Sequence, residues 1–197
     1  NMATMLGFLT TDAQVSAANL QLALSGTVDQ TFNQITVDGD TSTNDMVIIL
    51  ANGQSGCEEL TYEHTEWSTF VALVTAASSK LAKQIARDGE GATKLIEVTV
   101  EGAQTIQDAR AIAKTVVGSS LVKTAVFGTD ANWGRIIAAM GRAGVSFNQN
   151  DVDIYIGDQI LLKNSTPVDF SEEEVKEYLQ NEVIAIKAVL KEGKEKG

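Results

Sequence analysis

The chain has 197 residues, of which 44% are hydrophobic and 21% charged, the mixture of one globular domain with a real core rather than of a disordered chain. A formal net charge of −11 repels phosphate backbones and argues against nucleic acid as a partner, while leaving room for a local basic pocket for a small acidic substrate. The longest apolar run, Met46–Ala51, falls far short of the roughly 20 residues that span a bilayer, so no membrane association is expected. No basic stretch followed by a long apolar one marks a secretory leader. The single Cys57 makes no internal disulfide and fits a reducing compartment. One His and one Cys fall short of the four ligands of a closed zinc site, and no metal is expected.

In chain order, residues 5–10 read as a buried strand. Asp12 stands where an N-cap would, ahead of Ala17, Leu20, Leu24 and Val28 on one helix face, and Gly26 weakens that helix without ending it. A short strand is expected at 35–37, then the polar loop DGDTSTND (38–45) and a strand at Met46–Ala51. Trp67, Phe70, Val71, Val74, Ala77, Leu81 and Ile85 form one apolar stripe, which predicts a helix over 66–86 stopped at Gly89. A strand follows at 95–100, a helix through Ile106 to Val116, a strand at 121–127 and a helix at 133–142. Residues 152–162 supply strands turning at Gly157-Asp158. Ser171 opens a capping box with Glu174, and VIAIKAVL (183–190), rich in β-branched residues, reads as a strand that turns at Glu192-Gly193. There is no internal repeat and no linker, so the expectation is a single region of mixed α/β or α+β character.

Conventional catalytic patterns are sparse. A Ser–His–Asp arrangement would have to use His64, for which a partly exposed loop or cap role is the competing reading. GEGATK (89–94) lacks the spacing of a phosphate-binding loop, and Glu172–Glu174 read as the acidic first turn of a helix. Threonine chemistry remains. At the head of a chain, a threonine's own α-amine, with a pKa near ~8, can serve as base for its hydroxyl, and no His is needed. Exposing that amine requires a cut before the threonine, which the same hydroxyl can make by attacking the preceding carbonyl. Ala3–Thr4 suits this, as Ala3 is small and the β-branch of Thr4 restricts the aim of its hydroxyl, although on the residues alone a buried Thr at the start of a strand is the plainer reading.

The opening NMATMLGFLTTDA (1–13) closely resembles the processing site of the ornithine acetyltransferase family, the ArgJ-type bifunctional enzymes of arginine biosynthesis. VDGDTSTNDMVIILANG (37–53), DGEGATKLIEVTVEGA (88–103), LVKTAVFGTDANWGRIIAAMGRAG (121–144) and FSEEEVKEYLQNE (170–182) resemble further segments of the same β chain, in the same order. The resemblance implies that residues 1–3 lie on the α-chain side of a self-cleaved Ala3–Thr4 bond and that residues 4–197 form the β chain, lacking the family's C-terminal tail. It implies a layered αββα sandwich like that of amino-terminal-nucleophile hydrolases. It also implies transfer of acetyl from N-acetylornithine to glutamate through an acetyl-Thr4 intermediate. No cofactor is implied, although some members take acetyl-CoA as donor. Glu90 matches the family's acidic substrate-binding residue, whereas a solvated loop carboxylate is the plainer reading. The oxyanion-hole Thr–Gly pair and a substrate-binding Lys would lie upstream in the α chain, and further polar ligands beyond Gly197. The implied assembly is α2β2 in the cytoplasm. An uncut Ala3–Thr4 bond would leave an amide in place of the base, and no turnover would follow.

Competing readings are a relative that moves other acyl groups, a self-processing aminopeptidase, against which DGEGATK argues, and a non-catalytic binding module. The hydroxyls and carboxylates of DTSTND (40–45) can line a cleft or simply make side-chain turns, and NWGR (132–135) can simply anchor a helix; neither is taken as a site.

Overall fold

Alternating small and apolar residues make LGFLTT a strand, β1 (Leu6–Thr11), which pairs in parallel with β2 (Met46–Ala51), Leu6 opposite Met46 and Thr11 opposite Ala51. The computed structural model describes residues 4–197, which divide into one unit ending at Glu90 and a second, Gly91–Gly197. A parallel pair needs a crossover, and in the first unit α1 (Ala17–Gln30) and a 3-10 turn (Phe32–Gln34) provide it. Helix α2 (Trp67–Arg87) follows β2.

Both helices cover one face of the pair. Leu9 packs with Leu20, Ala23, Phe70 and Val74, and Met5 with Phe32 and Ala82. The strand expected to be buried is therefore buried on one side only: Leu6 is 53% and Phe8 57% exposed. The N-cap of α1 is Ser16, whose hydroxyl accepts the Asn19 N–H, and not Asp12, whose carbonyl instead accepts the Ser55 N–H at 2.9 Å. Residues 35–37 form no strand. Ile35 packs beside buried Phe32, so its apolar surface is satisfied without a ladder. Gly26 lies inside α1 without breaking it.

The second unit carries a six-stranded sheet of order β6-β5-β4-β7-β3-β8. Its strands are β3 (Leu95–Ala103), β4 (Asp153–Ile156), β5 (Gln159–Lys163), β6 (Thr166–Pro167), β7 (Val183–Val189) and β8 (Glu195–Lys196). Only β3 and β7 pair in parallel, from Leu95 opposite Val183 to Glu101 opposite Val189. Helices α3 (Ile106–Val117), α4 (Ser120–Phe127), α5 (Trp133–Met140) and α6 (Glu172–Tyr178) complete the unit. Ile112, Val116, Met140, Ile154, Leu161, Ile184 and Ile186 form its fully buried core.

Residues 121–127, expected as a strand, are helix α4. The buried positions are Val122, Ala125 and Val126, a three-and-four spacing, and the Ser119 hydroxyl caps the start by accepting the Val122 N–H. The turn at Glu192-Gly193 leads into β8, which pairs antiparallel with β3. The register shifts at Gly102, whose φ is +74° and where a Cβ would stand 1.9 Å from the Leu190 carbonyl oxygen. No other residue type fits that bulge.

Candidate active site

The residue next to β1 sets the site. Met5 is buried, so the backbone there is fixed from both of its polar groups: its N–H donates to Asp45 Oδ1 at 2.8 Å, and its carbonyl accepts the Met46 N–H at 2.8 Å. Thr4, one residue earlier, is exposed. Its Oγ1 lies 3.3 Å from the Ser42 hydroxyl, and either oxygen can donate. Ser42 Oγ also accepts the Asn44 N–H at 3.1 Å, a side-chain turn that fixes where the hydroxyl sits. The 38–45 loop is thus built by turn bonding, including the Asp40 N–H to Asp38 Oδ1 bond at 2.8 Å, and it also meets Thr4. The turn bonding expected of DTSTND is present, and Ser42, on Thr4, and Asp45, on Met5, are neighbours that the sequence reading did not take as site residues. Ala3 lies outside the described residues.

Glu90 is exposed in the turn that ends α2. Gly89 before it is buried, and a Cβ there would meet Val37 Cγ1 at 2.7 Å. That contact sets the Glu90 turn against the start of the loop carrying Ser42 and Asp45. Gly91, with φ +69°, then reverses the chain. No hydrogen bond joins Glu90 to Thr4 among the described residues.

Other charged residues of the sequence motifs have structural partners. The Lys94 ammonium donates to the Val126 carbonyl at 3.1 Å and to that of Leu179, holding the ends of α4 and α6. His64 Nδ1 accepts the Glu66 N–H at 3.1 Å and its Nε2 faces Glu58 at 3.7 Å, so the imidazole organises the entry to α2, as the plainer reading held. In NWGR, the Asn132 carboxamide caps α5, Trp133 packs half-buried on the core, and the Arg135 guanidinium reaches the Leu121 carbonyl and Thr124 hydroxyl of α4. This segment anchors a helix.

The model of the ArgJ family matches residues 1–197. The chain belongs to the ArgJ family. Among the family's relatives, the arginine biosynthesis bifunctional protein ArgJ of Geobacillus stearothermophilus is 56% identical over 190 residues, 96% of this chain and 46% of that protein. The protein of the same name from Bacillus cereus is 56% identical over 197 residues, 100% of this chain and 48% of that protein. The chain therefore spans about half the length of the ArgJ proteins it matches. The crystal structure of the Bacillus halodurans arginine biosynthesis bifunctional protein superposes with a TM-score of 0.96 at 54% identity, covering 98% of this chain and 91% of that one. This likeness bears out the mixed α/β, ArgJ-type fold expected from the sequence.

Proposed function

We propose that residues 4–197 are the β part of an ornithine/glutamate acetyltransferase whose nucleophile is Thr4. The observation that carries the reading is an exposed Thr4 hydroxyl, at the head of a strand pinned through Met5, in a chain of the ArgJ family. The names of the relatives, which speak of a bifunctional protein of arginine biosynthesis, support the pathway. Self-cleavage at Ala3–Thr4 frees the amine. Thr4 Oγ1 then attacks the acetyl carbonyl of N-acetylornithine, the acetyl C–N bond breaks, and the hydroxyl proton passes through the α-amine to the leaving amine. Glutamate's amine attacks the acetyl ester and Thr4 recovers its proton. Splitting the exchange in two lets one site serve both amino acids in turn.

Glu90 is the proposed partner of the substrate's cationic amine, through a charge-assisted hydrogen bond. The upstream α chain supplies the oxyanion donors, and the expected assembly is α2β2 in the cytoplasm, working without metal or cofactor. Acetyl-CoA is a candidate second donor. Among the described residues, no helix is long and apolar enough to cross a membrane.

Intact mass of the subunits after incubation with N-acetylornithine tests the proposal. A fragment that starts at Thr4 and is heavier by one acetyl group is the expected product. Thr4→Ala should abolish both cleavage and acetyl uptake, with transfer down by more than ~1000-fold, whereas Thr4→Ser should keep both. An uncut, unlabelled wild-type protein, made with its upstream half, overturns the reading.

A further inference from the structure

We propose that Ser42 is a further catalytic residue of this site and Asp45 its positioning residue, both acting on the Thr4 hydroxyl, first in self-cleavage, before the amine exists, and again in turnover. The proposal rests on Thr4 being the nucleophile. Self-cleavage poses a problem that turnover does not. Until the Ala3–Thr4 bond breaks, the Thr4 nitrogen is a peptide amide whose lone pair is delocalised into the carbonyl, so it cannot take a proton from the hydroxyl. Another group must orient that hydroxyl. Ser42 Oγ stands 3.3 Å from Thr4 Oγ1.

The bonding of Ser42 limits how it can act. A serine hydroxyl has one proton and two lone pairs. The Asn44 N–H occupies one lone pair, leaving the other free to accept the Thr4 O–H. Accepting it orients Thr4 Oγ1 for attack, and the Asn44 N–H bond holds the Ser42 hydroxyl in place. In the step itself, Oγ1 bonds to the Ala3 carbonyl carbon, the C–N bond to Thr4 breaks, and the hydroxyl proton ends on the released nitrogen. Water then opens the ester, giving the Ala3 carboxyl group and restoring the Thr4 hydroxyl.

Asp45 acts one residue away. Its carboxylate accepts the Met5 N–H at 2.8 Å while the Met5 carbonyl accepts the Met46 N–H. The residue after Thr4 is thereby locked, and the distance from Thr4 Oγ1 to Ser42 is set by the loop both side chains share. Ser42 reaches Thr4, and Asp45 reaches Met5, because parallel pairing of β1 and β2 places the residues preceding the two strands side by side.

The test uses the full precursor, including its upstream half. The rate at which a chain beginning at Thr4 appears is measured by mass, and kcat and KM for acetyl transfer are then measured on the cleaved protein. Ser42→Ala should slow cleavage by ~10–100-fold, the scale of losing one orienting contact on a reacting atom, and lower kcat with KM for N-acetylornithine unchanged. Ser42→Thr should restore most of the loss. Asp45→Asn, which still accepts the Met5 N–H, should act more weakly than Asp45→Ala. Thermal melting of each variant separates slow chemistry from misfolding. Wild-type rates in Ser42→Ala, or a raised KM at unchanged kcat, overturn the proposal while leaving Thr4 in its role. A wild-type protein that never carries an acetyl group on Thr4 removes the nucleophile and the proposal together.

Discussion

Gly102 shows how one residue can hold a sheet's irregularity. Its left-handed φ of +74° and the Leu190 carbonyl 1.9 Å from an imagined Cβ act together. Gly102→Ala should cost at least ~3 kcal/mol, combining backbone strain with a clash against main chain that cannot yield. A lowered urea midpoint at unchanged slope is the expected result. At the same scale, DGEGATK shows where a motif stops being informative. Glu90 is exposed, four residues before a Lys94 that is spent on two helix-end carbonyls. Both are charged, both lie in one short block, and only their three-dimensional partners separate a candidate ligand from a clamp.

Among the elements, β8 is docked in part by a titrating pair. The Lys196 ammonium donates to Glu101 Oε1 at 2.8 Å, and this bond holds the Glu101 carboxyl below its ordinary value. A carboxyl lowered in the folded state contributes stability above its unfolded value and loses it as pH falls through the folded one. Both groups are substantially exposed, so the contribution is well under ~1 kcal/mol. Protection of the Gly197 amide, which bonds the Val100 carbonyl at 3.0 Å, should therefore fade below about pH 4. Hydrogen exchange across pH would show it, and Glu101→Gln should flatten the dependence. The strongly periodic elements were legible in advance: the α2 stripe from Trp67 to Ile85, β2 at its observed ends, and β7, whose β-branched residues decided strand over helix. Helix α4 was misread because Val122 and Val126 suggest a strand, although Ser119 and the buried Ala125 carried the helical signal. Thr4 was singled out by the likeness of residues 1–13 to a processing site, and Ser42 and Asp45, which the structure sets beside it, were not. Their nearness to Thr4 is long-range, created by the parallel pairing of β1 with β2. Two successive apolar strands joined by a helix imply that pairing, so the residues leading into each strand were the place to look.

At the scale of the molecule, β1 and β2 are finished on one side only. Leu6, Phe8 and Leu50, each more than half exposed, stand on the face that neither α1 nor α2 covers. Parallel sheets are ordinarily covered on both faces, and a two-stranded one is marginal by itself. Produced without the upstream half that the proposed function assigns to it, the chain should enhance the fluorescence of an apolar-binding dye and self-associate in sedimentation; production together with that half should suppress both. Phe8→Ser should lessen both signals in the lone chain. Thr4 lies two positions from Leu6, so on the proposed reading the peptide is severed at the margin of this greasy surface. Once the covalent link is gone, surface hidden from water is what keeps the severed pieces in company. Self-cutting can then expose the new amine without letting the assembly drift apart.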